Sequence, residues 1–366
     1  MMKVTLTNEI LRYITEIEHN RYKVSSVKLS KTVMNRLRKN SKKKSSYASN
    51  KIEGNPLSEK QVDEVIECDE RKHYLKPEQE VRNYFLALNY LEEKVSKKEK
   101  FSTKLILNVQ KLVEKGASKE KIGLRGPMPP GVLFAVYDSK TGNPDYIPPE
   151  YCDIPGLLDE LVEYVNTTDD HPLIVAAVVH YQLVTIHPFE DGNGRTARLL
   201  SGYIMDLNGY GFNGIGSLEE YFAYDIDEYY ESIQMGLPAL YYSGRENPPH
   251  PEIWINYFLR MVKLYSGKIC DLQLASEEED IAGSLSFLKG KEKELLHFLI
   301  KNYRGEFTPI EVSRELSVTN KTIINRLAVL VKNGFAVPIL VNERIRSYKL
   351  SEFTRDHEKE IMKAIT

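Results

Sequence analysis

Between His187 and Arg198 the chain reads HPFEDGNGRTAR, so that an imidazole, a carboxylate, an asparagine between two glycines and two arginines fall within twelve residues. Two glycines at a loop-to-helix junction let backbone N–H groups converge. The helix N-terminus adds its positive end, so Gly192, Asn193 and Gly194 read as an anion cradle. Asp191 offers a hard oxygen ligand, suited to a Mg2+ that already bridges phosphates. Arg195 and Arg198 lie three apart and are expected on one face of the new helix, each able to grip phosphate oxygens bidentately. His187, with an ordinary pKa of about 6.5, suits a base acting on a hydroxyl at neutral pH. Phe189 is expected to anchor the loop. These residue types suit holding a nucleotide phosphate and taking a proton beside it.

The elements around the motif are helical. An apolar segment, Pro172 to Ile186, precedes it, and a periodic one ending near Asn208-Gly209 follows. Helices are also expected over residues 5–40, 58–68, 77–95, 102–115, 154–166, 218–236 and 251–270, from apolar residues recurring at three- and four-residue spacing. Ser45 to Ile52 forms a short helix that Gly54-Asn55-Pro56 ends, glycine accepting the left-handed cap and proline forbidding continuation. Glu53 then sits at the negative end of the helix dipole, with Ser49 four residues earlier on the same face. Taken by itself Glu53 reads as an exposed carboxylate in a fraying turn, unless a cation elsewhere in the fold meets it. Residues 125–149 are proline-rich around a β-rich run, Val132 to Tyr137, and read as a hairpin flap. Its free edge suits alignment of a peptide by main-chain hydrogen bonds.

Past Glu277-Glu278-Glu279-Asp280, read as part of a linker over 273–288, the order changes to helix, turn, helix, β-ribbon. Thr308-Pro309 opens one helix as N-cap and first helical residue, Thr322 to Lys332 forms the next, and strands Phe335–Val341 and Arg344–Leu350 meet at Asn342-Glu343. Residues 289–352 resemble a winged helix-turn-helix domain, with 353–366 as a tail. Lys289 to Leu350 holds twelve Lys/Arg against six Glu, a local +6 in a chain of net charge -2. That excess supports contact with DNA, although such domains also bind protein, and both partners remain open at this point.

The motif as a whole is a full match to the HPFxDGNGRxxR signature and resembles that of Fic-domain proteins, the likeness covering about residues 40–270. It implies a mainly α fold, a helical bundle with a β-hairpin flap, to which the small α+β winged domain is appended. It also implies a Mg2+-dependent protein adenylyltransferase that transfers AMP from ATP to a Ser, Thr or Tyr hydroxyl of a target protein or of itself. By that resemblance His187 deprotonates the hydroxyl and Asp191 holds Mg2+. Gly192, Asn193, Gly194 and Arg195 cradle the phosphates, and Arg198 takes the γ-phosphate. Tyr230 resembles a base-contacting position. Ser49-Asn50-Lys51-Ile52-Glu53-Gly54 matches the family's inhibitory pattern [S/T]xxxE[G/N], so Glu53 is expected to pair with Arg198 from an inhibitory helix at about 45–54. This assigns residues 1–100 to an N-terminal helical region and 101–272 to the catalytic core. Two features depart from the family: the flap is longer than in many members, and an asparagine often found near the adenine has no clear equivalent.

Other readings stay in view. Glu53 could instead hold a water for removal of AMP, and the motif reads phosphates better than bases, which leaves other nucleotide donors open. A regulator that binds DNA and only senses nucleotide is the reading of a different class. The intact His187 speaks against it, since a sensor needs no base. The bulk numbers fit a soluble cytoplasmic protein: 42% hydrophobic, 28% charged, three well-separated cysteines without a CxxC pair, and no apolar run long enough for a bilayer. No membrane partner is expected, and a homodimer is left open.

Overall fold

Apolar spacing organises the first of two units, Met1–Val24 with Arg36–Ile269. Its helices are α1 (Asn8–Ser26), α2 (Lys31–Ile52), α3 (Glu59–Glu67), α4 (Lys76–Ser96) and α5 (Thr103–Glu114). After a hairpin, β1 (Val136–Tyr137) with β2 (Pro144–Tyr146), come α6 (Ile154–Thr167), α7 (Pro172–Ile186) and α8 (Asn193–Leu207). The series closes with α9 (Glu219–Tyr224), α10 (Ile226–Gln234) and α11 (Pro251–Ser286). This computed structural model describes residues 2–27, 29, 31–68, 73–117, 122–137, 142–237, 248–341 and 344–365.

A helix apolar all round has no face to give to water and must lie inside. That helix is α7, buried along nearly its whole length, and α8 packs directly on it. Ser201 of α8 donates to the Ala176 carbonyl at 2.9 Å, and the fully buried Trp254 of α11 donates its indole N–H to Ala177 O at 2.8 Å. Helices α4 and α5 cover another side of α8. The motif therefore leaves the most buried helix of the unit and enters one gripped from several sides.

Several expectations change in detail. The N-terminal pattern gives two helices, and α2 runs unbroken through the basic stretch to Ile52, where a short helix from Ser45 was expected. It ends in a Schellman motif: Gly54 N–H reaches Lys51 O at 3.0 Å and Asn55 N–H reaches Asn50 O at 3.0 Å, with Gly54 at φ 79°. The expected helix over 218–236 breaks at Asp225, whose side chain caps α10 by accepting from Glu228 N–H at 3.0 Å. The flap hairpin is shorter than Val132 to Tyr137 suggests. The segment 273–288 is no open linker, since α11 continues through it to Ser286. Acidic composition alone does not stop a helix, because Glu is a good helix former.

The second unit takes Ser25–Asn35 with Cys270–Thr366. It contains α12 (Gly290–Asn302), α13 (Pro309–Glu315), α14 (Asn320–Lys332), the antiparallel pair β3 (Ala336–Val341) and β4 (Arg344–Leu350), then α15 (Glu352–Asp356) and α16 (Glu358–Ile365). A Thr308–Glu311 capping box opens α13. Leu296, Leu299, Val312, Ile323, Leu327 and Phe335 form its core. The helix, turn, helix, hairpin order is that expected; Asn342-Glu343 lies outside the described residues, and the expected tail is helical. No described helix is long and apolar enough to cross a membrane.

Candidate functional site

His187 caps the C-terminus of α7 in the left-handed region, φ 50° and ψ 57°, a conformation that costs a side-chain-bearing residue about 1 kcal/mol. The surroundings hold it there. Arg125 donates from Nε to His187 O at 2.8 Å and from its backbone to Pro188 O at 2.9 Å. The same guanidinium lies 4.7 Å over the Phe134 ring, whose centroid is 5.9 Å from that of His187. The Nδ1 atom of His187 faces Val184 O at 3.2 Å. A carbonyl only accepts, so Nδ1 carries the proton and Nε2 keeps its lone pair. Burial pushes the imidazole down to about 4, with the Val184 bond pulling the other way. At neutral pH it is a neutral acceptor.

The loop after His187 is stapled from within. Phe189 is fully buried, and the Asn193 amide binds its backbone twice, accepting from Phe189 N–H at 3.0 Å and donating to Phe189 O at 2.8 Å. The Asn193 side chain is thus a loop brace, and only its backbone remains for the cradle. Gly192 is the N-cap of α8 at φ 81° and supplies no side-chain acceptor to the first helical amides. Such amides, with the helix dipole behind them, suit an anion. Asp191 stands at the edge, its Oδ1 accepting from Gly192 N–H at 2.8 Å.

The two arginines do not share one partner. Arg195 is buried and reaches Glu114 Oε1 at 2.9 Å and Asp191 Oδ1 at 3.3 Å. Arg198 turns to α2: its Nε donates to Ser49 Oγ at 2.8 Å, its Nη2 to Ser49 O at 3.1 Å and to Glu53 Oε1 at 2.6 Å, and its Nη1 to Tyr229 OH at 3.3 Å. Tyr229 OH also meets His180 Nε2 at 2.8 Å. A Cβ on Gly194 would lie 2.4 Å from Glu53 Oε1, so the glycine makes room for the carboxylate. Ser49 and Glu53 therefore lie with the motif although Glu53 and Arg198 are 145 residues apart in sequence. Tyr230 is half exposed, its hydroxyl 3.4 Å from Ile52 O beside the last turn of α2.

Three functional candidates escape the motif. Gln110 and Glu114 of α5 are fully buried, and Arg125 nearly so. Gln110 Nε2 donates to Asp191 O at 3.3 Å while its Oε1 accepts from Gly123 N–H at 3.1 Å, tying the motif loop to the start of the flap. Burial lifts the Glu114 carboxyl to about 7, against the pull of Arg195. A signal was present for two of them. Gln110 and Glu114 occupy the stripe of α5 that otherwise carries Leu105, Ile106, Val109 and Val113, and polar residues on an apolar face need a partner.

Among the described residues no group of three or more His, Cys, Asp or Glu is placed to hold a metal ion by itself. Mg2+ needs none where one carboxylate joins substrate phosphates. Asp191, with 30% of its side chain exposed at the cradle's edge, fits that donor set.

Comparison with known proteins gives one family. Residues 100–205 match the Fic/DOC family. Over 206 residues the chain is 27% identical to the protein adenylyltransferase Fic of Drosophila grimshawi, covering 54% of this chain and 40% of that protein. It is 28% identical to that of Drosophila mojavensis, covering 54% and 38%. The match thus spans well under half the length of these relatives. A Fic family protein from Desulfovibrio desulfuricans superimposes with a TM-score of 0.59 at 20% identity, covering 96% of this chain and 98% of that one. Fic-1 from C. elegans does so at 0.56 and 24%, covering 73% and 72%. These likenesses place the fold.

Proposed function

We propose that this chain, which carries a Fic/DOC-family domain over residues 100–205, is a protein adenylyltransferase held in check by its own helix α2. The observation that carries the reading is the 2.6 Å ion pair between Glu53 and Arg198, set against the helix whose N-terminus is the anion cradle. A nucleotide phosphate seeking Arg198 meets a carboxylate already there.

In the transfer, the target hydroxyl of a Ser, Thr or Tyr gives its proton to His187 Nε2 and its oxygen bonds the α-phosphorus of ATP. The bond from that phosphorus to the bridging oxygen breaks, and pyrophosphate leaves. The phosphates of the donor rest on the amides of Asn193 and Gly194 at the start of α8, and the γ-phosphate takes the guanidinium of Arg198 from Glu53. Their negative charge also raises the proton affinity of His187 from its low value, as nearby anions do. Tyr230 flanks the base. Asp191 would hold Mg2+, which supplies charge neutralisation on the phosphates. Positioning and electrostatics do the work, as phosphoryl-type transfer requires.

The test uses the full chain with Glu53→Gly and ATP labelled at the α-phosphate. Label should enter the chain itself or proteins of a lysate at a rate well above that of the unsubstituted chain. Adding His187→Ala should abolish incorporation while ATP still binds. Equal incorporation with and without His187 removes it as the base. CTP, GTP and UTP in parallel decide the donor.

For the second unit we infer contact with duplex DNA. Helix α14 exposes Lys321, Asn325 and Lys332 on one face and carries no acidic residue, and β4 exposes Arg344 and Arg346. Positive charge so placed neutralises backbone phosphates.

A further inference from the structure

We propose that Glu114 is a positioning residue of the nucleotide site: buried beneath Gly192, it holds Arg195 against the Asp191 carboxylate and so fixes how Asp191 presents its charge to a metal–phosphate group. This deepens the reading of the same site given above and rests on it. Beside the phosphate contact that the resemblance implies for it, Arg195 takes on a second task through its carboxylate partners.

Glu114 has no exposure to solvent, and its Oε1 receives Arg195 Nη2 at 2.9 Å. That same Nη2 donates to Asp191 Oδ1 at 3.3 Å, so one nitrogen joins the two carboxylates. The Arg195 side chain is 4% exposed, so its guanidinium lies inside the protein between these carboxylates. Glu114 also supports the loop by shape. A Cβ on Gly192 would stand 2.6 Å from Glu114 Oε1, so the left-handed turn rests against the carboxylate. One turn earlier on α5, Gln110 takes the Asp191 carbonyl. Helix α5 thus holds the backbone of Asp191 with one side chain and its carboxylate, through Arg195, with the other.

Such indirect partners set the orientation of a metal-binding carboxylate, and their loss typically costs about 10–100-fold in metal affinity. Without the Glu114 charge, Arg195 remains buried and cationic, with Asp191 at 3.3 Å and Glu80 at 3.9 Å as the anions left to it, so more of its attraction falls on the nearer Asp191. An Asp191 drawn toward Arg195 competes poorly for a cation. A merely structural ion pair would lower the melting temperature and leave this competition alone.

The test measures ATP affinity by calorimetry on the full-length Glu53→Gly chain at about pH 8, above the value to which burial lifts Glu114, with and without Mg2+. The readout is the gain in affinity that Mg2+ gives. Glu114→Gln keeps the volume and an acceptor oxygen, and should cut that gain about 10-fold while Mg2+-free affinity changes little. Asp191→Asn should cut it as far, and the double variant no further, since both act through one carboxylate. An unchanged gain in folded Glu114→Gln, or additive losses in the double variant, overturns the proposal. If Glu114→Gln does not fold, Glu114→Met, which likewise removes the charge at similar volume, is read by the same criteria. A parent chain that binds ATP with no gain from Mg2+ overturns the positioning role alone, and one that binds no ATP at all overturns the nucleotide-site reading with it.

Discussion

Glu53→Gln separates the charge of Glu53 from its shape, and its effect follows from the contacts of Arg198. The guanidinium is 1% exposed and the Glu53 side chain 33%. After the substitution Arg198 keeps Ser49 Oγ, Ser49 O and Tyr229 OH, so it stays placed and loses only its anionic partner. A charge-assisted hydrogen bond contributes about 1.5–3 kcal/mol. Because Glu53 is a third exposed, the lower figure of about 1.5 kcal/mol applies. That is about tenfold in an equilibrium constant. ATP affinity should therefore rise about tenfold, whereas ADP, which has no γ-phosphate to offer Arg198, should bind as before. The contact is also lost to the fold, so the melting temperature should fall by about 3–6 °C in a unit of this size. Calorimetric titration of both chains with ATP and with ADP gives the answer. A change equal for the two nucleotides, or a lower melting temperature with no change in either, refutes competition for Arg198 by the γ-phosphate.

Acid should act on the fold through His187. Its folded value of about 4 lies below the ordinary value of about 6.5, so the unfolded chain protonates first; this contribution is whole above about pH 6.5 and is lost on the way down to about pH 4. His187→Ala should consequently show a smaller fall in melting temperature than the parent between about pH 7 and pH 5, and equal falls would contradict the shift. Gly192→Ala meets both a φ of 81° and the Glu114 carboxylate at 2.6 Å; it should cost about 2–4 kcal/mol and weaken ATP binding, and a melting temperature within a degree of the parent would disprove the close fit. Duplex DNA binding should weaken with rising salt, and Lys321→Ala should reduce the log–log slope by about 0.9; no binding at about 50 mM salt would point to a protein partner instead.

Legibility followed range in the chain. The motif, the helices around it and the cap that ends α2 are local, each written in a dozen residues, and the structure places them where spacing and cap chemistry put them. Glu53 shows the limit. By dipole and exposure alone it was a fraying carboxylate at the wrong end of a helix, and its cation lies 145 residues away. The hairpin and α11 differ from expectation for another reason: β-branched composition overstates a strand, and an acidic run suggests a break that helix propensity does not demand.

Arg195 and Arg198 make the physical reason plainest. They have the same chemistry, stand three residues apart on α8, and in sequence invite the same role. Their counter-ions come from different helices, Glu114 of α5 for one and Glu53 at the end of α2 for the other. Glu114 has no exposure and is covered by Gly192, so Arg195 is fixed. Glu53 is a third exposed at the end of its helix, so its hold on Arg198 can be contested from solvent. An ion pair sealed inside the protein sets geometry, whereas one open at its rim can exchange its anion. A phosphate can therefore displace Glu53 without disturbing the loop that Glu114 supports, and regulation and positioning can coexist one helical turn apart.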